Sequence, residues 1–514
     1  GNTVDLVADG AIAAGKPCII KSNGKAEQVT STTSVTPTNN MWNNITKTQI
    51  NSQSSVRFPC VVYDPNNQYA VEIISQGGGD LDAQCLTVTS SGVTGTTGSN
   101  STISSNSDEM HACWDETNDR VIVAYRDTSD GRGKIVTGQF TSASAITWSG
   151  PFTFETASMG MCNVCHDTSS GKTLICYRLN SGSYLKAITM TLTISGGSTS
   201  ASFGSRADIV TSTTQGYFPR AVRVAANKFV VAYNLYNSSG TYAYAVVASL
   251  SGTNVSFAGN TIVSNNSYKT ASIGYGGEVD LLYDSNNDKI IVIYIREDDY
   301  QAGWGRVGSV SGTSISWDAN EKRVTGWLGN SNQSLEYLRA IYEPSGKRGY
   351  MFYIKNTNSG NASDVFWGGR LAYDASDANK LDVTNHDHPQ NTPYGLDQMM
   401  QPTALGDRGM IVVPVNNEGT TNSNYIYNLP TLSTSTTTTN LTAQNCIGFA
   451  PSAISDTNTG TINLDGNTVD NQSGLTAGTR YWVQNNGTIG TSAVTTQAGG
   501  VALSSSKLLI KMSA

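Results

Sequence analysis

Hydrophobic residues in this chain come in short runs, and clusters of polar turn residues separate them. The clearest example is the segment YDSNNDKIIVIY at 283–294. An apolar run ends at Tyr283, and residues 284–288 carry side chains that hydrogen-bond to their own backbone in tight turns. Residues 290–294 then form a β-branched run of strand length. The segment therefore predicts a β-hairpin.

The frame of this hairpin recurs along the chain. An aromatic residue is followed by an acid, then by a basic residue five positions after the acid and an aromatic residue ten positions after it. The acid slot falls on Asp64, Asp115, Asp167, Arg223, Asp284, Glu343 and Thr403. The first copy is looser, with Tyr69 and Ile74 in the basic and second aromatic slots, and the fourth and seventh copies are degenerate. Steps of 51 to 61 residues, each with several strands, are typical of β-propellers. We therefore predict an all-β protein with a seven-bladed β-propeller.

Closure of the ring requires a strand from outside the seventh repeat. A short strand with a Ser/Thr-rich exit follows each of the first six repeats, whereas the seventh runs into the Thr-rich segment 431–440. A similar strand around Ile45 precedes the first repeat. Because an open ring would leave two exposed sheet edges, we predict that this strand closes the seventh blade.

The two ends of the chain differ from the propeller region, which is predicted at 41–430. Residues 1–30 and 441–514 alternate short strands with glycine turns, and the NG pair at 23–24 is a strong hairpin signal. The polar segment 31–40 and the Thr-rich segment 431–440 are predicted linkers.

Composition excludes several classes of function. The net charge is −7 and no basic cluster is present, so neither nucleic acid nor a membrane surface is an expected partner. No apolar run approaches the roughly 20 residues of a membrane span, and no membrane insertion is expected. Eight cysteines in 514 residues are too sparse for a disulfide scaffold. Free thiols in strands indicate assembly in a reducing cytoplasm.

The terminal segments resemble a small module of virion proteins of tailed bacteriophages, notably marine ones. The similarity lies in the DG, AG and NG pairs at 9–10, 14–15 and 23–24, and in the run GLTAGTRYWV at 474–483. In that family such modules stand at the ends of tail-fibre, spike or head-decoration proteins. The resemblance implies that residues 1–30 and 441–514 pack together as a base module, with the propeller inserted between them. It also implies two kinds of partner: other virion proteins, and further copies of this chain in a homo-oligomer.

Three patterns could hold a metal or cofactor, and we favour a structural interpretation of each. CNVCH at 162–166 matches the haem-attachment pattern, but His166 occupies the aromatic slot of the hairpin frame. The loops at 115–119 and 284–288 begin like calcium loops but lack the glycine and glutamate that complete one. The HDH sequence at 386–388 has no identifiable third ligand. We therefore predict no metal and no cofactor.

A glycan-cleaving propeller is an alternative. Arg126, Arg178, Arg296 and Arg339 lie at or near predicted inner strands, and a sialidase needs an arginine cluster for the substrate carboxylate. The Asp-box repeats usual in sialidases are absent, and the opposed carboxylates of a glycosidase cannot be identified in the sequence. We therefore predict that the protein is not an enzyme and has no catalytic residue.

The predicted function is host-surface attachment by a virion protein, as a tail fibre, spike or receptor-binding protein assembled in the host cytoplasm and exposed on the particle. The longest loops lie opposite the acid-containing turns, where a rigid scaffold displays binding residues to a host glycan or protein. The candidate contact residues are Tyr268, Tyr275, Asp298, Asp299, Tyr300, Trp304, Trp327, His386, His388 and Tyr394. The alternatives are a capsid decoration protein with a structural role only, and a sialidase- or glycosidase-like propeller.

Overall fold

The computed structural model shows an all-β protein, and no α-helix occurs in the residues that it describes. Those residues are 2–37, 42, 45–51, 56–75, 79–210, 215–237, 240–264, 279–296, 299, 302–318, 320–325, 334–356, 365–387, 396–399, 401–405, 408–417, 423–442, 444–493 and 498–512. The chain divides into two compact units. One combines Gly1–Thr36 with Thr434–Ala514, and the other is Pro37–Ser433.

The strands are short, as the turn-rich sequence predicts. In chain order they are β1 (Thr3–Val7), β2 (Pro17–Ile20), β3 (Ala26–Gln28), β4 (Ser31–Pro37), β5 (Thr46–Asn51), β6 (Arg57–Asp64), β7 (Tyr69–Ser75), β8 (Leu81–Thr89), β9 (Gly92–Thr96), β10 (Ser101–Ser104), β11 (Asp108–Asp115), β12 (Arg120–Arg126), β13 (Gly133–Ser142), β14 (Ala145–Glu155), β15 (Met159–Asp167), β16 (Lys172–Leu179), β17 (Leu185–Ser195), β18 (Ser198–Phe203), β19 (Ala207–Asp208), β20 (Gln215–Ala225), β21 (Lys228–Asn237), β22 (Gly240–Ser251), β23 (Asn254–Ile262), β24 (Val279–Asp284), β25 (Lys289–Arg296), β26 (Ala302–Ser311), β27 (Ser314–Trp317), β28 (Lys322–Arg323), β29 (Ser334–Glu343), β30 (Arg348–Asn356), β31 (Val365–Tyr373), β32 (Leu381–Asp387), β33 (Leu396–Met399), β34 (Thr403–Ala404), β35 (Met410–Asn417), β36 (Ser423–Pro430), β37 (Leu432–Thr439), β38 (Cys446–Phe449), β39 (Thr459–Asn463), β40 (Thr468–Val469), β41 (Arg480–Val483), β42 (Ile489–Gly490), β43 (Gly499–Ala502) and β44 (Leu508–Lys511).

The larger unit consists of antiparallel sheets that follow one another along the chain. Their strand orders are β6-β7-β8-β10, β11-β12-β13-β14, β15-β16-β17-β18, β20-β21-β22-β23, β24-β25-β26-β27, β29-β30-β31-β32 and β33-β35-β36-β5, and the short strands β9, β19, β28 and β34 add to four of them. The first strands of successive sheets contact one another, and the last sheet contacts β6 of the first. This arrangement is consistent with a β-propeller, in which the first strands surround a channel.

The acid of the hairpin frame caps the turn between the first two strands. The Asp284 carboxylate accepts the backbone N–H groups of Asn286 and Asn287 at 3.0 and 3.2 Å, and the Asn287 side-chain amide at 2.7 Å. Asp64 and Asp115 make the same bonds in their own turns. The repeated acid is therefore a structural residue, because its oxygens satisfy backbone donors that the turn leaves unpaired.

The seventh sheet joins distant parts of the chain. Strand β5, directly after Ile45, pairs with β36 and forms the outer edge of this sheet. The hairpin before it is displaced from the predicted frame, since the N–H of Leu405 bonds to the carbonyl of Met410. The frame had placed Thr403 and Arg408 at these two positions. Leu405, which begins the turn, is fully buried.

The smaller unit draws strands from both ends of the chain. One sheet has the order β1-β39-β38-β2-β3 and the other the order β40-β44-β43-β41-β42. Ile19, Phe449, Val483 and Leu508 are buried in a shared core. The two predicted linkers are not irregular, because β4 and β37 pair as a two-stranded sheet.

Candidate functional site

Most of the first strands carry a bulge near their start, at the end of the channel opposite the acid-containing turns. The bulged residues adopt left-handed backbone conformations: Phe58 (φ 52°), Glu109 (51°), Met161 (31°), Phe218 (50°) and Tyr337 (53°). The strand register shifts at each of them. Because residue types as different as Phe and Glu share this conformation, the bulge belongs to the architecture. Its effect is to change the direction of nearby side chains.

Two residues after the bulge, a polar side chain bonds to the next sheet. His111 Nδ1 accepts the backbone N–H of Val164 at 3.3 Å, and Asn163 Oδ1 accepts that of Ala221 at 2.9 Å. Asp280 occupies the corresponding position of the fifth sheet and accepts the N–H of Ala340 at 3.0 Å. We call these bonds the inter-sheet latches. They satisfy buried polar groups around the channel and tie neighbouring sheets together.

A row of charged residues lies at the bulged end of the second to fourth sheets. Glu109 is in the bulge of β11, Arg126 ends β12, and Arg178 lies on β16. The Arg178 guanidinium packs over the ring of Tyr217 in β20, 4.5 Å from its centroid. We call Glu109, Arg126, Arg178 and Tyr217 the mouth row.

The electrostatics of the mouth row favour acid–base chemistry. Burial and the neighbouring Asp108 raise the pKa of Glu109, whereas the Arg178 and Arg126 guanidiniums lower it, and the result is a pKa raised to about 7. A carboxyl group with this pKa exchanges its proton near neutral pH, as a general acid or base must.

The mouth row also holds unused hydrogen-bond donors. Among the residues that the structure describes, the buried Nε atoms of Arg126 and Arg178 have no acceptor. A buried donor without an acceptor is unfavourable, and because these Nε atoms have almost no accessible surface, an anionic ligand would contact the terminal nitrogens of the two guanidinium groups. Guanidinium groups suit carboxylate and sulfate oxygens because their N–H groups match that geometry.

The predicted contact residues are only partly described. Asp299 and Trp304 lie together, since Trp304 Nε1 donates to Asp299 Oδ2 at 2.9 Å. The Arg296 guanidinium covers the Trp304 ring at 4.0 Å from its centroid. The backbone of His386 is in β32. The other predicted contacts lie outside the described residues: Tyr268, Tyr275, Asp298, Tyr300, Trp327, His388 and Tyr394. The contact surface therefore stays a prediction.

The motifs that resembled cofactor sites have structural partners. His166 lies in a buried pair, with Nε2 3.0 Å from Asp115 Oδ1 and Nδ1 3.1 Å from Thr173 Oγ1. Cys162 Sγ donates to the carbonyl of Glu109, and all eight cysteines are free. Within the described residues, no three His, Cys, Asp or Glu side chains are grouped as metal ligands. Those residues also contain no helix with the length and apolar character that a membrane crossing requires.

Sequence reasoning identified part of the mouth row. Arg126 and Arg178 were recognised as residues near inner strands, but Glu109 and Tyr217 were missed. The hairpin frame held a signal for Glu109, which stands six residues before the acid Asp115. The corresponding residues of other repeats, such as Phe58 and Met161, are apolar. The charged Glu109 departs from this pattern, and the departure could have marked it as a candidate functional residue.

Comparisons with known proteins concern the fold. No protein-family profile and no curated protein matches this chain. Among solved structures, it is similar to an ulvan lyase of polysaccharide lyase family 25, with 9% identity and a TM-score of 0.45 over 82% of this chain and 95% of that one. It is also similar to an α-L-arabinanase of Penicillium chrysogenum (10% identity, TM-score 0.39, 63% of this chain and 93% of that one). It is similar as well to a GH93 α-L-arabinofuranosidase of Fusarium graminearum, with 10% identity and a TM-score of 0.39 over 62% of this chain and 92% of that one.

These neighbours contradict the prediction that the chain is not an enzyme, because all three are enzymes that act on carbohydrates by name. That prediction is corrected. None of the three names denotes a virion protein. No residue role is transferred from any of them.

Proposed function

We propose that this protein is a glycan-active β-propeller that cleaves an acidic polysaccharide at the mouth row. The observation that carries the proposal is a carboxyl group, Glu109, whose pKa is raised to about 7 while two arginines act on it electrostatically. In this proposal the sheets of the larger unit are the seven blades of the propeller. The substrate lies across the bulged ends of the second to fourth blades.

Each residue of the mouth row has a separate task in this reaction. Arg126 and Arg178 bind a carboxylate or sulfate group of the sugar through their guanidinium groups. Glu109 in its protonated form donates its proton to the glycosidic oxygen as the bond to the leaving sugar breaks. Water adds to the other sugar and releases a proton to solvent, so the bond is hydrolysed, and Glu109 then regains a proton from solvent. Tyr217 is a positioning residue, because its buried ring supports the Arg178 guanidinium.

The test is depolymerisation of a polyuronate and of a sulfated polysaccharide by the purified protein, with a neutral glucan for comparison. New reducing ends should form from an acidic substrate only, and Glu109→Gln should lower the rate by about 10²- to 10⁴-fold. The matched control, Asp130→Asn, changes an exposed acid and should leave the rate unchanged. Equal rates for Glu109→Gln and the wild type, or no product from any acidic substrate, would refute the proposal.

Tyr217 provides a second, more selective test. Tyr217→Leu should raise KM for the acidic substrate with little change in kcat, because Arg178 loses its support but Glu109 is intact. Tyr217→Phe keeps the ring and loses only the hydroxyl that bonds to Gln215, so it should restore KM. A fall in kcat without a change in KM would argue against a positioning role.

We further propose that the smaller unit is a base that attaches the propeller to a phage particle. Both ends of the chain contribute strands to this unit, as an inserted propeller requires, and the terminal segments carry the resemblance to virion proteins. Other virion proteins and further copies of the chain would be partners of the base, and the propeller would engage host glycan. Labelled protein should then bind host cells, and antibodies against it should decorate intact particles. Particles without the protein would exclude this location.

A further inference from the structure

A second polar site lies in the channel, towards the acid-containing turns. A cavity of about 310 Å³ opens there between first strands of the third to sixth sheets. Its lining includes Asn163, Arg220, Asp280, Tyr283, Ser285 and Tyr342. This volume is at the lower end of the usual range for small-molecule sites. The cavity extends from the latch residues to the turns, away from the mouth row, and its role does not depend on the proposed function.

Arg220 interrupts the series of inter-sheet latches. It occupies the latch position of the fourth sheet, two residues after the bulged Phe218. Arginine has no acceptor atom, so it cannot receive the N–H of Leu281 as His111 and Asn163 receive theirs. That N–H bonds instead to Asp280 Oδ1 at 2.8 Å. The latch is therefore replaced by a local bond, and Arg220 takes no part in it.

The Arg220 guanidinium has no hydrogen-bond acceptor among the described residues, although it is half-buried. Asp280 is close enough for Arg220 to lower its pKa against the effect of burial, but both Asp280 oxygens accept backbone N–H groups. Arg223 differs, because it is paired with Asp167. Arg220 therefore presents unused donors to the cavity.

The charges around the cavity favour an anion with a single negative charge. Burial and then Arg220 lower the pKa of the fully buried Arg339, which shows that the two guanidiniums repel each other. Asp280 is the acid in the cavity lining, and the lining arginines are Arg220 and Arg223. Since Arg223 is paired with Asp167, Arg220 is the lining guanidinium that is left for a ligand. One guanidinium matches one singly charged carboxylate, whereas a dianion such as phosphate would place a second negative charge beside Asp280. Apolar residues such as Ala221 and Ile341 complete the lining and suit an organic molecule.

We infer that Arg220 binds a small organic carboxylate, up to the size of one sugar acid, in this channel cavity. The guanidinium would hold the carboxylate through paired N–H···O bonds. The rest of the ligand would occupy the cavity beside the turns.

The inference can be tested by calorimetric titration with glucuronate, acetate, inorganic phosphate and uncharged glucose. Glucuronate should bind more tightly than phosphate, and glucose should not bind. Arg220→Gln should weaken glucuronate binding by about tenfold or more, since it removes a charge-assisted pair of bonds. Arg132→Gln, which changes a largely exposed arginine, should have no effect. Unchanged affinity in Arg220→Gln, or equal binding of glucose, would overturn the inference.

If Arg220→Gln does not fold, binding at Arg220 can be tested on the wild-type protein instead. Phenylglyoxal modifies accessible arginines, and peptide mass spectrometry locates the product. Glucuronate should slow modification of Arg220 and leave that of Arg132 unchanged, whereas equal modification of Arg220 with and without glucuronate would contradict binding there. This readout does not depend on Glu109, so loss of depolymerisation in Glu109→Gln and loss of binding in Arg220→Gln are distinguishable.

Discussion

Replacement of His111 by Gln should remove a large part of the acid sensitivity of the fold. His111 is 2% exposed and latches the second sheet to the third. Burial, followed by the positive charge of Arg220, lowers its pKa from 6.5 to about 3. His111 therefore becomes protonated near pH 6.5 in the unfolded chain but stays neutral at this pH in the folded protein. Stability from this group is present above pH 6.5 and is lost as the pH falls.

The size of the effect follows from proton linkage. Each pH unit below 6.5 lowers the free energy of unfolding by about 1.4 kcal/mol, so a fall to about pH 5 costs about 2 kcal/mol. His111→Gln has no proton to take up, and its amide oxygen can still accept the N–H of Val164. Carboxyl groups with raised pKa values titrate in both proteins and cancel in the comparison.

The assay is urea unfolding followed by tryptophan fluorescence at several pH values. The difference in free energy of unfolding between His111→Gln and the wild type should shift in favour of the variant by about 2 kcal/mol between pH 6.5 and about pH 5. Ser198→Gln introduces the same side chain at an exposed position of β18 and should keep the wild-type slope. Parallel pH profiles for His111→Gln and the wild type would refute the argument, because they would mean that His111 protonates as readily in the folded state.

Other residues of the structure can be probed by single substitutions. In the proposed reaction, the pH profile of kcat/KM should have a limb near pH 7 that Glu109→Gln abolishes, since burial raises the pKa of Glu109 to about that value; an unchanged limb would assign it to another group. Asp284→Ala should lower the free energy of unfolding by about 1–3 kcal/mol, measured by urea unfolding, because three hydrogen bonds in the turn are lost. A smaller loss for Asp284→Asn is expected, and equal losses would argue against acceptance by the side-chain oxygen. Glu72→Gln should become more stable than the wild type by about 1.4 kcal/mol for each pH unit between 4.5 and 8, because burial raises the pKa of Glu72 to about 8 and ionisation then favours unfolding. A difference in stability between Glu72→Gln and the wild type that stays constant across this pH range would contradict a raised pKa for Glu72. Phe366→Ala should cost about 3–5 kcal/mol, again by urea unfolding, because this fully buried ring stacks on Tyr427 at 4.9 Å and so joins the sixth and seventh sheets. A cost near that of an exposed residue would show that these sheets pack independently there.

The sequence was most informative where a local pattern determines local structure. The turn at Asp284 needs an acceptor side chain, then Asn residues and a position that tolerates left-handed backbone, and Asp288 has a φ of 52°. All of these requirements lie within a few residues, so they repeat visibly along the chain. The pairing of β5 with β36 was expected because the seventh repeat lacks the closing strand that follows each of the other six. The number of strands in a repeat is also visible in the sequence.

Features that depend on contacts between distant residues were harder to predict. The seventh hairpin begins at the buried Leu405, two residues after the predicted Thr403, and a frame based on acids and aromatics cannot detect this. The strands β4 and β37 consist largely of Ser and Thr, so no contrast between apolar and polar positions indicated that they pair. Their hydrogen bonds are made with each other across the chain.

The mouth row shows the same limit at the level of the site. Arg126 and Arg178 could be noticed from the sequence alone, since both follow apolar strands. Glu109 gains its significance from the bulge, which changes the direction of its side chain and exposes it to charges from two other strands. A bulge adds one residue to a strand without altering its composition, so nothing in the hydrophobic pattern marks it.

The seventh sheet has a consequence for the synthesis of the chain on the ribosome. The side chains of Thr46 and Asn428, which bond to each other between β5 and β36, are separated by 382 positions. At about 5–20 residues per second, β5 leaves the ribosome roughly 20–80 s before its partner exists. During that interval six sheets can form, while β5 and the edge of the first sheet have no neighbour. The nascent protein therefore exposes strand edges that can pair with other chains. During this period, cells that produce it need chaperones to cover these edges, or conditions in which nascent chains rarely meet.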